Sequence, residues 1–180
     1  MKVVIPFVPN KLRPEVRAVG EQVSAEFVDV SHCEFAYFCL IAKLWAAGAG
    51  EGESFILLEH DVLPTVALLE EMWDCPHEWC HAYSWRYTSP LYPGETRPAH
   101  PTRQRETALF CHKISASLLR QMGTAMPRGP IRWQSLDFFL LGWLAQVARP
   151  HLHGPVTHLH QQHPAWAATM TEDDWGRVDA

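Results

Sequence analysis

The sequence has no apolar run long enough to cross a membrane and no pair of cysteines with CxxC spacing. Its longest apolar stretch, 136–148, contains Asp137 and falls about seven residues short of a membrane-spanning helix. No signal-peptide pattern is present, because Pro6 and Pro9 interrupt a short apolar run and no small-residue cleavage site follows. We therefore expect a cytoplasmic protein with no membrane partner.

Cysteine is too scarce and too irregularly spaced for a disulfide framework. The five cysteines are an odd number, which leaves one unpaired in any pairing scheme. Without an export signal, reduced and mostly buried thiols are predicted. Internal repeats are also absent, and a hydrophobic fraction of 47% argues against disorder.

A chain of 180 residues is long enough for one domain with a substantial core. We assign that domain to residues 1–163 and expect 164–180 to be an acidic, loosely held tail. Short apolar runs alternate with helical periodicity through the first half. This alternation predicts a single α/β domain whose mostly parallel central sheet has helices on both faces.

Some predicted elements bear directly on function. The run 54–58 is continuously apolar, which is typical of a strand buried on both faces. Ser31 and Glu34 have capping-box spacing and predict a helix from there to Gly48. Residues 85–106 have no periodicity and predict a long functional loop. A last strand is predicted at 156–160.

Charge is distributed unevenly along the chain. The segment 86–132 has eight basic and two acidic residues, whereas the rest has seven basic and eighteen acidic. The net charge is therefore +6 in the segment and −11 elsewhere, within an overall −5. A basic middle in an acidic chain predicts a surface that meets an anionic partner.

The most informative chemistry follows the buried strand at once, as Glu59, His60 and Asp61. Open α/β sheets bind their ligands at the carboxyl ends of their strands. Asp61 there has the ligand type that a hard divalent cation prefers, and such a cation can clamp a diphosphate.

This segment resembles the "DXD" motif of the GT-A glycosyltransferases, in which the final aspartate binds Mn²⁺ or Mg²⁺ on a nucleotide-sugar diphosphate. The resemblance implies a GT-A-like (Rossmann-like) enzyme that transfers a sugar from a nucleotide-diphosphate donor, such as a UDP-sugar. It gives the metal to Asp61, with Glu59 and His60 on the donor side. The first position of the motif is Glu here, where the family most often has Asp.

Two later features fit the same resemblance. GT-A enzymes often place an acceptor-binding or catalytic carboxylate at the start of a later helix, which would be Asp137 here. Many also add a C-terminal histidine to the metal, and His158 and His160 share one face of the predicted strand. The sequence does not decide between these two histidines.

The resemblance also locates the donor's nucleoside. It implies that Pro6, Phe7 and Val8 line the nucleoside along the first strand and its loop. Asp29, at the end of the second predicted strand, would reach the base or the ribose. The sugar, the base and the stereochemical outcome stay open.

Small size makes the chain resemble short transferases encoded by bacteriophages, some of which glycosylate hydroxymethylated pyrimidines in DNA. We therefore expect such DNA as the acceptor, in the host cytoplasm, held by Arg86, Arg103 and Arg105 of the basic segment. A protein or glycan acceptor is the alternative.

A zinc protein is an alternative of another class. Cysteine and histidine concentrate in two places, namely Cys75, His77, Cys80 and His81, and then His151, His153, His158, His160 and His163. A structural zinc site or a zinc-dependent hydrolase would use them. The cysteine spacing is unlike the usual zinc pairs, and no second CxxC-type pair completes it. A non-catalytic nucleotide-sugar-binding module is a further alternative.

Overall fold

The structure is a computed structural model that describes residues 1–87, 103–106, 111–126 and 129–159. Its helices are α1 (Pro14–Gln22), α2 (Ala36–Glu51), α3 (Val66–Asp74), α4 (Ala116–Met122) and α5 (Trp133–Leu144). Its strands are β1 (Val3–Phe7), β2 (Glu26–Asp29), β3 (Phe55–Leu58), β4 (Val62–Leu63), β5 (Trp79–Ala82), β6 (Ser84–Tyr87), β7 (Arg103–Glu106), β8 (Cys111–Ile114), β9 (His151–His153) and β10 (Thr157–His158). The predicted tail, 164–180, lies outside the described residues.

Six strands form the central sheet in the order β2-β1-β3-β8-β5-β9. The pairs β1–β2, β1–β3 and β5–β9 are parallel, whereas β8 runs antiparallel to both β3 and β5. Five strands therefore share one direction and β8 alone opposes them. The predicted α/β fold with a mostly parallel sheet is confirmed.

Helices cover both faces of this sheet, as predicted. On one face, α2, α4 and α5 pack against Val4, Leu57 and Trp79. On the other, α1 and α3 pack against Ile5 and Ile56 among others. All four residues of β3 are buried, because their side chains alternate between two covered faces. None of the described helices is both long and apolar enough to span a bilayer.

Two short strand pairs stand at the carboxyl edge of the sheet. β4 pairs antiparallel with β10, with Val62 opposite His158. β6 and β7 pair antiparallel and occupy the two ends of the predicted loop 85–106, and β6 lies next to β10. β4 and β9 have no signal in the sequence, because strands of two or three residues are too short to show a periodicity.

The start of α2 differs from the predicted capping box. The Ser31 amide donates to Asp29 Oδ1 at 2.8 Å, and Glu34 pairs with Arg132 at 2.8 Å. The turn made by Asp29 therefore competes with the cap, and the helix begins only at Ala36.

The end of α2 also differs from prediction, because the helix continues past Gly48 to Glu51. There Gly52 provides the left-handed conformation at φ 82°. Gly48 instead lets α4 approach closely, since a Cβ there would lie 2.2 Å from Leu119 Cδ1. This glycine therefore marks a helix contact and not a helix end.

Two buried histidines lie side by side on β5 and β8. The His81 and His112 rings are 4.1 Å apart, and Trp79 Nε1 donates to His112 Nδ1 at 2.9 Å. Burial, and to a lesser extent the neighbouring His112, lower the pKa of His81 from 6.5 to about 2. The folded protein therefore keeps His81 neutral, whereas the unfolded chain takes up a proton below about pH 6.5.

We expect the free energy of unfolding to fall as the pH drops from about 6.5 towards 2, because only the unfolded state binds this proton. The slope contributed by His81 should approach about 1.4 kcal/mol per pH unit. Urea titrations of the wild type and of His81→Gln, with exposed His32→Gln as the control, measure it. Equal pH slopes for wild type and His81→Gln would contradict the assignment.

Candidate active site

The acidic motif forms a tight turn directly after β3. The Val62 amide donates to the Glu59 carbonyl at 3.2 Å, so 59–62 reverse the chain between β3 and β4. The backbone of His60 also accepts from the Arg13 amide at 3.2 Å, which ties the turn to the start of α1. Asp61 is buried, although carboxylates are rarely buried without a partner. The turn therefore holds Asp61 at the carboxyl edge of the sheet.

The partner of Asp61 comes from the far end of the chain. His158 Nε2 lies 3.2 Å from Asp61 Oδ2, across 97 residues of sequence. The β4–β10 pairing produces this contact, together with a hydrogen bond from the Leu159 amide to the Asp61 carbonyl at 2.8 Å. Of the two histidines left open by the sequence, His158 is thus the one placed beside Asp61, and His160 lies outside the described residues.

A cleft of about 400 Å³ opens beside this turn. Glu59, His60 and Asp61 line one side. Pro6 and Val8, from β1 and its loop, line another, and the GT-A resemblance implies that these residues contact the nucleoside. Such a volume lies within the ordinary range for small-molecule sites.

Negative charge is concentrated at the inner end of the cleft. Burial raises the pKa of Glu59 well above its ordinary value, and the charges of Asp137 and Asp61 raise it further. Burial first, and then the charges of Glu59, Asp137 and Asp61, raise the pKa of the Tyr37 hydroxyl. Asp137, on α5, is therefore near enough for its charge to act on the Glu59 carboxyl. A bound cation would relieve the repulsion among these carboxylates.

The hydroxyl of Tyr37 lies beside the Glu59 carboxyl. Its proximity opposes the rise in the pKa of Glu59. The hydroxyl and the carboxyl do not meet the geometry of a hydrogen bond. The buried hydroxyl has no hydrogen-bond partner in the described part of the chain. The Tyr37 hydroxyl can therefore hydrogen-bond to a polar ligand in the cleft that Tyr37 and Glu59 both line.

Two predicted donor residues do not line the cleft. Phe7 alternates to the opposite face of β1 from Pro6 and meets Phe27 edge-on, with ring centroids 6.4 Å apart. Asp29 is exposed and accepts the Ser31 amide at 2.8 Å. Hydrogen bonding from the Ser31 side chain, and then from its amide, lowers the pKa of the Asp29 carboxyl. Roles for Phe7 and Asp29 in nucleoside binding stay predictions.

The proposed acceptor arginines lie on the strand pair β6–β7. Arg86 is opposite Gln104, whereas Arg105 is opposite Trp85 and Arg103 is opposite Tyr87. The pairing therefore brings Arg86 onto one two-stranded unit with two arginines from much later in the sequence, and this unit lies beside β10.

Several residues that line the cleft were not predicted as site residues, and Lys11 and Tyr37 are the two with the most useful chemistry. Lys11 follows β1 and offers a positive charge to an anionic ligand. A lysine just beyond the carboxyl end of the first strand was the available signal. Tyr37 was obscured by the wrongly predicted start of α2.

No protein-family model matches the chain, and no curated protein matches its sequence. Among solved structures, it is similar to A197 from STIV, with a TM-score of 0.51 and 10% identity over 86% of this chain and 82% of that one. A 4-diphosphocytidyl-2C-methyl-D-erythritol synthase gives a TM-score of 0.46 and 13% identity over 93% and 95%. At these identities the likeness to A197 is one of fold alone.

Proposed function

We propose that this protein is a metal-dependent glycosyltransferase that moves a sugar from a nucleotide-diphosphate sugar to an acceptor hydroxyl. One observation carries the proposal: the Glu59–Asp61 turn at the end of β3 meets His158 within 3.2 Å, beside a cleft that Pro6 and Val8 also line. A GT-A enzyme requires this arrangement. The arrangement depends on contacts between three parts of the chain that are distant in sequence, namely β1, the turn after β3, and β10.

Asp61 and His158 fit a divalent cation by their chemistry. Within the described ranges, no third His, Cys, Asp or Glu ligand atom comes within 4.8 Å of both. Water and diphosphate oxygens would therefore fill the remaining positions, as they usually do for Mg²⁺. The imidazole favours Mn²⁺ over Mg²⁺, which prefers oxygen ligands. When bound, the cation would neutralise charge on the departing diphosphate.

The chain's own residues position the two substrates. Pro6 and Val8 present an apolar wall to the nucleoside, and Lys11 offers its ammonium to the diphosphate. Glu59 lines the cleft, where its carboxyl can hydrogen-bond to a hydroxyl of the donor sugar. Asp137 approaches from α5 and accepts the proton of the acceptor hydroxyl.

The experiment is a screen of nucleotide sugars with Mn²⁺ against hydroxymethylated DNA, peptide and glycan acceptors. Release of the nucleoside diphosphate that requires both Mn²⁺ and an acceptor supports a transferase. Metal-dependent donor binding without turnover would replace it with a non-catalytic binding module. Acceptor cleavage without a donor would replace it with a hydrolase.

For the acceptor, we propose DNA that carries a hydroxymethylated pyrimidine. The +6 segment contains the end of β6 and all of β7, and β6 lies next to β10, which carries His158. Arginines matched to phosphates would position a duplex there. The target base would flip out of the stack to reach the buried Asp61. The overall charge of −5 opposes long-range attraction to DNA, so binding would depend on these arginines.

Binding to hydroxymethylated duplex DNA should weaken with salt. Several phosphate contacts give a log–log slope of roughly −3 to −5, at about −0.9 per contact. Replacing Arg103 and Arg105 by Ala should make the slope shallower. Replacing Arg17, an exposed residue of α1, by Ala should leave the slope unchanged. A flat slope, or no binding at low salt, would point to a protein or glycan acceptor.

A further inference from the structure

A second cluster of metal-ligand side chains lies away from the cleft, between the end of α3 and the strands β5 and β9. Cys75 follows the last turn of α3, Cys80 lies on β5 and His153 lies on β9. One ligand atom from each lies within 4.8 Å of the other two, and Cys80 and His153 are buried. Three chain segments therefore converge on one small volume.

The orientation of His153 is that of a metal ligand. Its Nδ1 lies 2.8 Å from Glu71 Oε1, and the residue is only 4% exposed. Its buried Nε2 has no hydrogen-bond partner within the described residues. A carboxylate that receives Nδ1–H leaves a lone pair on Nε2, and zinc-bound histidines are commonly held in this way. Glu71 lies one helical turn before Cys75, which is the C-cap of α3. The last turn of α3 and its C-cap residue therefore supply the carboxylate and one thiol.

Neither thiol takes part in a disulfide. The Cys80 thiol donates a weak hydrogen bond to the His77 carbonyl at 3.8 Å, which leaves the lone pairs of its sulfur open to a metal ion. The buried Lys113 ammonium donates to the Cys75 carbonyl and not to its sulfur. Two sulfurs and one imidazole form a soft ligand set, which selects zinc over magnesium or calcium.

The spacing suits a tetrahedral ion. Zinc bonds of about 2.0–2.3 Å place neighbouring ligand atoms roughly 3.3–3.8 Å apart, so a spread within 4.8 Å closes by small rotations. A fourth ligand is at hand, because His77 and His151 form a second such group with Cys75. Their rings stack with centroids 4.2 Å apart, and both are exposed.

We infer that the chain binds one structural Zn²⁺ through Cys75, Cys80 and His153, with His77 or His151 as the fourth ligand. The ion joins the edge strand β9 to α3 and β5. His153 precedes His158 by only five residues, so the same ion also anchors the segment that reaches Asp61. The inference does not rest on the proposed transferase activity.

The test is elemental analysis of the full chain, purified without a histidine tag. We expect one zinc per chain in the wild type, and its loss in Cys80→Ser and His153→Gln. Cys111→Ser, which removes a buried thiol outside the cluster, and exposed Cys39→Ser should keep it. Glu71→Gln should weaken zinc binding by about 10–100-fold, the usual effect of removing such a carboxylate.

Cobalt substitution keeps the test decisive if a variant fails to fold. Co²⁺ added to wild-type protein should give a thiolate-to-metal charge-transfer band, and zinc should displace it. The absence of both stoichiometric zinc and this charge-transfer band would overturn the inference. Zinc that survives in Cys75→Ser and Cys80→Ser but is lost in Asp61→Asn would also overturn it, because the ion would then lie in the cleft.

Discussion

Replacing Asp61 by Asn should lower glycosyl transfer by several orders of magnitude. The substitution keeps the size of the side chain but removes the charge that a divalent cation needs, and with it the stabilisation of the departing diphosphate. It also weakens the contact with His158 Nε2, which lies 3.2 Å from Oδ2 in the wild type. The initial rate of nucleoside diphosphate release with saturating donor and Mn²⁺ measures the effect.

The matched control is Asp74→Asn, which makes the same chemical change at the exposed end of α3. It should retain wild-type turnover, while excess EDTA should abolish turnover in the wild type. Near-normal activity of Asp61→Asn, or full wild-type activity in EDTA, would remove the metal role of Asp61.

Replacing Asp137 by Asn should slow transfer by at least about a hundredfold, the usual scale for losing a positioned base. Donor affinity should change little, because Asp137 is assigned to the acceptor hydroxyl and not to the metal or the diphosphate. Calorimetric donor affinity and steady-state rate, measured on one preparation, separate the two quantities.

Asp61→Asn is the informative comparison for this variant. It should lose metal-dependent donor affinity, whereas Asp137→Asn should keep it. If donor affinity collapses together with the rate in Asp137→Asn, then Asp137 binds the donor or supports the fold, and its role as a base is wrong.

Local patterns in the sequence predicted the central elements well. The apolar run 54–58 predicted β3, because a strand covered on both faces needs apolar residues at successive positions. Ser115, the N-cap of α4, is a local feature of the same kind, because its hydroxyl accepts the Leu118 amide at 3.1 Å. Both features depend on residues close in sequence.

Features that depend on distant contacts could not be predicted in this way. The pairing of β4 with β10 brings His158 to within 3.2 Å of Asp61, and nothing in 156–160 alone predicts that contact across 97 residues. The grouping of Cys75, Cys80 and His153 is similar, since its cysteine spacing matches no common motif. Only the parallel pairing of β5 with β9 brings His153 to the two thiols.

The most direct test of the proposed function is to locate Mn²⁺ by anomalous scattering in crystals grown with a nucleoside diphosphate. We predict a manganese peak in bonding contact with Asp61 and His158, with diphosphate oxygens completing its coordination and the nucleoside against Pro6 and Val8. Manganese and diphosphate bound elsewhere, with the cleft between Glu59 and Pro6 holding neither, would contradict the account.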